Sequence, residues 1–150
     1  MKRNLRLISL LLCMAILLAV PVQAEPTVTP RGSCYFNHLY TSLEQTADSV
    51  FRIWFLVTAS CGTKEELGAS EIIVYRSSDG TNWEKMKTYY PYSRPNMMGY
   101  DTAAHSGYIV YPGTQGYYYK AYVMYYAKVS SGSGYYGHYS NVLHLLPMSN

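Results

Sequence analysis

The chain reads as an all-β protein of about seven short antiparallel strands, folded as a β-sandwich or small barrel. Two observations lead there. The first is Tyr117 to Val129, YYYKAYVMYYAKV, which alternates strictly. One parity carries Tyr119, Ala121, Val123, Tyr125, Ala127 and Val129. The other carries Tyr118, Lys120, Tyr122, Met124, Tyr126 and Lys128, with both charges. Side chains on a strand point to opposite faces with period two, so this is a long strand with a core face and a wetter face. The second is the spacing of short β-branched and aromatic runs between turn signals, with no helical periodicity after the first 24 residues.

The elements follow in order. Lys2, Arg3 and Arg6 precede an almost wholly apolar run, Leu7 to Val20, and Val22-Gln23-Ala24 places small residues where a signal peptidase reads. Residues 1–24 are therefore expected to be a removed signal peptide. A retained anchor is the competing reading, but the run is shorter than the roughly 20 apolar residues a spanning helix needs. The expected location is extracellular, with no membrane anchor after cleavage. Residues 25–33, EPTVTPRGS, are a Pro-rich lead-in without periodicity. The domain should span residues 34–146, with 147–150 as a tail.

Three of the 12 basic residues lie in the signal, which leaves 9 against 9 acidic ones in the secreted chain. No basic stripe remains, and nucleic acid is not an expected partner. The secreted chain keeps two cysteines, Cys34 and Cys61. An even count in an oxidising compartment reads as a disulfide, and two cysteines at this spacing are too few ligands for zinc.

Cys34 to Leu43 is a first strand, Glu44 to Asp48 a turn, and Ser49 to Cys61 a strand rich in β-branched and aromatic residues. A hairpin centred on residues 46–47 would bring Cys34 near Thr58 to Cys61. Gly62 to Gly68 reads as a polar loop. Ser70 to Arg76 and Trp83 to Tyr90 flank Asp79-Gly80, a strong hairpin signal. Residues 91–107 break the pattern with two prolines, two glycines and an exposed-looking Met97-Met98. A connection this long is often functional or mobile. Tyr108 to Tyr111 is a short strand, and Pro112-Gly113 turns the chain into the long one.

Several of these residues carry a resemblance. VYRSSDGTNW (Val74 to Trp83), Trp54, and Pro112-Gly113-Thr114 leading to Tyr119-Lys-Ala-Tyr-Val123 resemble a fibronectin type III domain. The resemblance implies that Trp54 on the second strand meets Tyr119 and Val123 in the core. YRSSDG, Pro95 to Gly99, and YAKVSSGSG with Ser140-Asn141 resemble a family of small secreted proteins of clostridia-like bacteria with no assigned activity. That resemblance implies secretion and a fibronectin type III or immunoglobulin-like sandwich, and it supplies no chemistry.

Catalysis is not expected. Asp101 and His105 share one loop and read as ordinary polar loop residues. His138 and His144 lie six residues apart, about 20 Å along a strand, too far to chelate one metal. No nucleophile elbow, zinc-protease helix or phosphate loop is present. No cofactor and no metal is expected.

The wetter face of the long strand is the expected working surface. With Ser130 to Gly134 as the loop of a hairpin, Val129 opposes Tyr135. The outer face then gathers Tyr118, Tyr122 and Tyr126 with Tyr136 and His138. Tyrosine offers large rigid contact area plus a hydroxyl, although it is also simply a good strand residue. The 91–107 connection is the second candidate. The expected role is a noncatalytic binding or adhesion module for a cell-surface protein or a glycan. Alternatives are a self-associating assembly protein and a secreted toxin or inhibitor. The sequence leaves the oligomeric state open.

Overall fold

The computed structural model describes residues 34–148. The expected signal peptide, the lead-in over 25–33 and the last two residues of the tail lie outside the described residues. The described part is nearly all β: β1 (His38–Ala47), β2 (Val50–Thr58), β3 (Lys64–Ser77), β4 (Glu84–Tyr89), β5 (Met98–Thr102), β6 (Ala104–Pro112), β7 (Tyr118–Val129), β8 (Gly132–Tyr139) and β9 (Leu143–His144). A single 3-10 turn, Pro95–Met97, precedes β5. β1, β2 and β6 form one antiparallel sheet in the order β1-β2-β6. The other runs β4-β3-β7-β8, with β5 also on β3 and β9 also on β7. The chain crosses between layers after β2, before β6 and after β6, which gives an antiparallel β-sandwich, one of the two architectures that the strand spacing points to.

The core is written in two alternations. On β2, Phe51, Ile53, Phe55 and Val57 are buried while the residues between them are half-exposed. On β7, Tyr119, Ala121, Val123, Tyr125 and Ala127 are buried in the same manner. The two stripes face each other, joined by Ile72 and Val74 of β3 and by Leu145. Tyr119 enters the core near the start of β7 with its ring 4.8 Å from that of Phe51. Its hydroxyl accepts from Thr114 N at 2.7 Å, the backward bond to the chain just upstream that makes a tyrosine corner in such sandwiches.

Five features differ from the sequence reading. Trp54 does not reach the core: it sits on the opposite parity of β2 from Phe51 and Phe55, half-exposed, and donates Nε1–H to Glu44 at 2.8 Å. Phe51 fills the place beside Tyr119 instead. The first strand begins later than expected and the hairpin turns over Asp48-Ser49, because a bulge between Gln45 and Ala47 lengthens β1 by one residue. Residues 64–68 are strand rather than loop, since β5 supplies them with a partner in register Gly68↔Met98. The 91–107 segment is accordingly structured: Met97 and Met98 are buried, β5 pairs with β3, and β6 begins at Ala104. The last correction is the register of β8.

In the β7–β8 hairpin Val129 pairs with Gly132, so the turn is Ser130-Ser131 and not the run Ser130 to Gly134. Two-residue hairpins match the twist of the flanking strands better than longer ones. Shortening the turn by three residues moves β8 by an odd number, which exchanges its faces. Tyr136 and His138 lie opposite Tyr125 and Val123 and belong to the inner side, with Tyr136 packed against the core. Past Ser140 the chain slips by one further residue, so Tyr118 pairs with His144 and Tyr119 with Leu143. That break returns His144 to the outer face. It is fixed by Ser140, whose N–H donates to Ala121 O while its hydroxyl accepts from Ala121 N.

Candidate functional site: the aromatic face of the larger sheet

Register places the outward side chains in rows across β3, β7 and β8. Tyr126 stands beside Tyr135 with ring centres 4.8 Å apart, and Tyr122 beside Tyr139 at 4.9 Å. Tyr118 and His144 stack at 4.1 Å with planes 14° apart. Each is a directly opposed cross-strand pair, the arrangement in which side chains on neighbouring strands interact most. Gly137 has a defined part here. A Cβ at that position would overlap the hydroxyl of Tyr122, so the missing side chain lets the Tyr122 ring lie across β8.

Lys120 sits between the Tyr118 and Tyr122 positions. Its Nζ lies 4.2 Å from the centre of the Trp83 ring, 5.2 Å from Tyr139 and 5.9 Å from Tyr75. Rings attract a cation through the negative charge of their faces, and a partly desolvated pair is worth more than an exposed one. Burial is the main reason the Tyr75 phenol is held above its ordinary range, and Tyr139, Glu71 and Tyr122 push it the same way. The acidic groups of this face are otherwise engaged. Glu66 accepts from Lys128 at 3.1 Å, and Glu71 accepts from the Tyr90 hydroxyl at 3.1 Å. The bond to Glu66 is the first cause of the raised Lys128 ammonium.

Of the five expected face residues, the structure places Tyr118, Tyr122 and Tyr126 together on the outer face and Tyr136 and His138 on the inner one. Sequence reasoning missed Tyr135, Tyr139, Tyr75 and Trp83. Tyr135 and Tyr139 are 62% and 52% exposed, against a buried Tyr125 on the other side of the same sheet. No further layer covers the face among the described residues: the fold has two sheets, and the inner sides of both form its core.

The outer face of the smaller sheet is the rival surface. It bears a shallow trough lined by Tyr40, Glu44, Trp54, Leu56 and Ser106. There the polar groups largely satisfy one another: Glu44 takes the Trp54 N–H, and Arg52 lies 5.0 Å over Tyr108. At the residues considered for catalysis, His105 Nε2 is 2.9 Å from Asn96 O and its ring packs on Phe55, while Asp101 is exposed near the end of β5 with φ +48°. Among the described residues no group of three or more His, Cys, Asp or Glu is placed to hold a metal ion.

Cys34 and Cys61 are unbridged in this structure, and both are exposed. The two thiols lie close enough to act on each other, which pushes Cys34 up and, with Ser60, pulls Cys61 down. The buried Lys64 orders the loop around them through bonds to Cys61 O at 2.7 Å and Gly62 O at 3.4 Å. No protein-family model matches the chain, and no curated protein matches it.

Proposed function

We propose that the chain is a secreted, noncatalytic binding module that engages a cell-surface protein or glycan through the outer face of the larger sheet. The observation that carries this reading is the set of three cross-strand aromatic pairs surrounding a boxed lysine, uncovered among the described residues. Aromatic anchors carry much of the energy in known interfaces, and here half-exposed rings of β7 stand opposite the exposed Tyr135 and Tyr139. Secretion rests on the basic, apolar and small-residue order of residues 1–24. The contact of the Cys34 and Cys61 thiols supports a disulfide in an oxidising compartment.

The test is the double variant Tyr122→Ser/Tyr126→Ser. It should fold as the parent does and capture its native cell-surface partner at least tenfold less well, about 1.4 kcal/mol. Undiminished capture by the folded variant returns these tyrosines to a purely structural role. The assembly reading has its own support in β8, whose second edge has no strand partner among the described residues. It calls for oligomers that grow with concentration in the absence of any ligand, and sedimentation velocity separates the two.

A further inference from the structure

Resting on that reading, we infer that the Lys120 box recognises the carboxylate of an acidic polysaccharide, with a uronate ring laid on the neighbouring aromatic rings. The argument starts from the ammonium. Among the described residues Lys120 makes no salt bridge, and no hydrogen-bond acceptor meets its nitrogen. Three N–H donors are thus held in place by rings that attract the charge but cannot accept like an oxygen. One neighbouring charge has the same sign: Lys85 pairs with Tyr75, one of the box rings. The carboxylates of the face point elsewhere: Glu66 pairs with Lys128 at the far end of β7, Glu71 takes the Tyr90 hydroxyl, and Glu84 beside Trp83 pairs with Arg76. The secreted chain has 9 basic and 9 acidic residues, so this is a local excess and not a property of the whole surface.

An occupant matching this site brings a negative charge together with a flat apolar surface. A uronate supplies both on one ring, since its C–H face suits an aromatic ring and its carboxylate suits an ammonium. The outward positions of β7 add the length. Tyr118, Lys120 and Tyr122 follow at about 7 Å intervals along the strand, and Tyr126 lies beyond, so successive rings of a polymer meet successive platforms. Tyrosine hydroxyls at each platform both donate and accept, as sugar hydroxyls require. A lysine in this place acts as a point charge and does not demand the fork geometry that an arginine would.

The experiment is titration calorimetry of the secreted chain with polygalacturonate and with the same polymer after its carboxyl groups are reduced to alcohols. The acidic polymer should bind at least tenfold tighter than the neutral one, and added salt should narrow the gap. Lys120→Met, which removes the ammonium but keeps an unbranched apolar side chain, should bring the acidic polymer down to the neutral level, whereas Lys120→Arg should retain most of the difference. Equal affinity for the two polymers, binding to neither, or an unaffected Lys120→Met overturns the inference. Poly-glutamate binding as tightly as polygalacturonate overturns it as well, in favour of an acidic peptide. The polymer comparison needs no variant, so a misfolded mutant does not protect the claim. The outcomes also separate from those of the binding-face reading: if the Tyr122→Ser/Tyr126→Ser variant loses its partner while the parent ignores polyuronate, the reading stands and this inference falls.

Discussion

At the scale of single residues, two side chains tie the layers together. Tyr125 projects from β7 across the core, where its hydroxyl bonds Thr41 Oγ1 at 2.7 Å and donates to Tyr40 O. Asn141 reaches the same strand from the break after β8, accepting from Leu43 N at 2.7 Å and donating to Leu43 O at 3.2 Å. Tyr125→Phe should cost about 1–2 kcal/mol in urea unfolding, since it leaves Thr41 and a carbonyl short of a partner. It should also change the response to alkali. Burial holds the Tyr125 phenol far above its ordinary range, so the folded state disfavours the phenolate. A raised folded pKa leaves the stability contribution intact below the unfolded value of about 10 and erodes it as pH rises above that. The parent should therefore lose stability steeply above about pH 10, and Tyr125→Phe should lose less over the same range. Identical alkaline slopes would show that this hydroxyl is not the group responsible.

At the scale of elements, the decisive quantity is parity. A strand such as β7 declares its faces in sequence because small, β-branched and aromatic residues on one side oppose lysines on the other, and all five of its buried residues were legible there. β8 declares nothing of the kind. GSGYYGHY has tyrosines and glycines on both parities, so its facing depends wholly on the length of the preceding turn. Three fewer turn residues send Tyr136 and His138 inward and bring Tyr135 and Tyr139 out. Trp54 misleads for a related reason: its size suggests the core, yet its neighbours Phe51, Ile53, Phe55 and Val57 already occupy the inner parity. The register makes a sharp prediction. Tyr136→Ser should destabilise by about 2 kcal/mol through lost core packing, while Tyr135→Ser should stay within about 0.5 kcal/mol. The reverse order would restore the longer loop. Gly137→Ala should leave the unfolding midpoint nearly unchanged, because the atom it meets is the tip of a tyrosine. It should nonetheless move the Tyr122 ring, visible in near-ultraviolet circular dichroism, and weaken partner capture.

At the scale of the whole molecule, one small core must hold two layers whose edges would otherwise fray. The first strand lies at an edge and is preceded by the described residues 34–37, of which Asn37 still donates to Thr58 O at 2.8 Å. Extending that pairing brings Cys34 to Cys61, at the point where the chain leaves β2 for the other layer. The buried Lys64 ammonium fixes this crossing through the carbonyls of Cys61 and Gly62. A disulfide here would close a loop of about 26 residues and clamp the edge of one sheet to the start of the next, lowering the entropy of the unfolded chain. The sequence suggests such a bridge through two independent hints, the even count and the hairpin; both thiols are free in this structure, and the hairpin centre lies further along the chain than the sequence suggests. The same bridge predicts three linked results. The protein recovered after export to an oxidising compartment, unfolded without reductant, should expose no reactive thiol and should weigh two hydrogens less than its reduced form. Reduction should lower the thermal midpoint by on the order of 10 °C. Cys34→Ser should match the reduced parent, because removing either partner leaves the same open chain, and reduction should then have no further effect on it. Two labelled thiols in the untreated protein exported to an oxidising compartment, or a midpoint indifferent to reductant, would leave Cys34 and Cys61 as neighbouring free thiols, with β1 held by its pairing to β2, its buried Leu39 and Leu43, and the bonds from Tyr125 and Asn141.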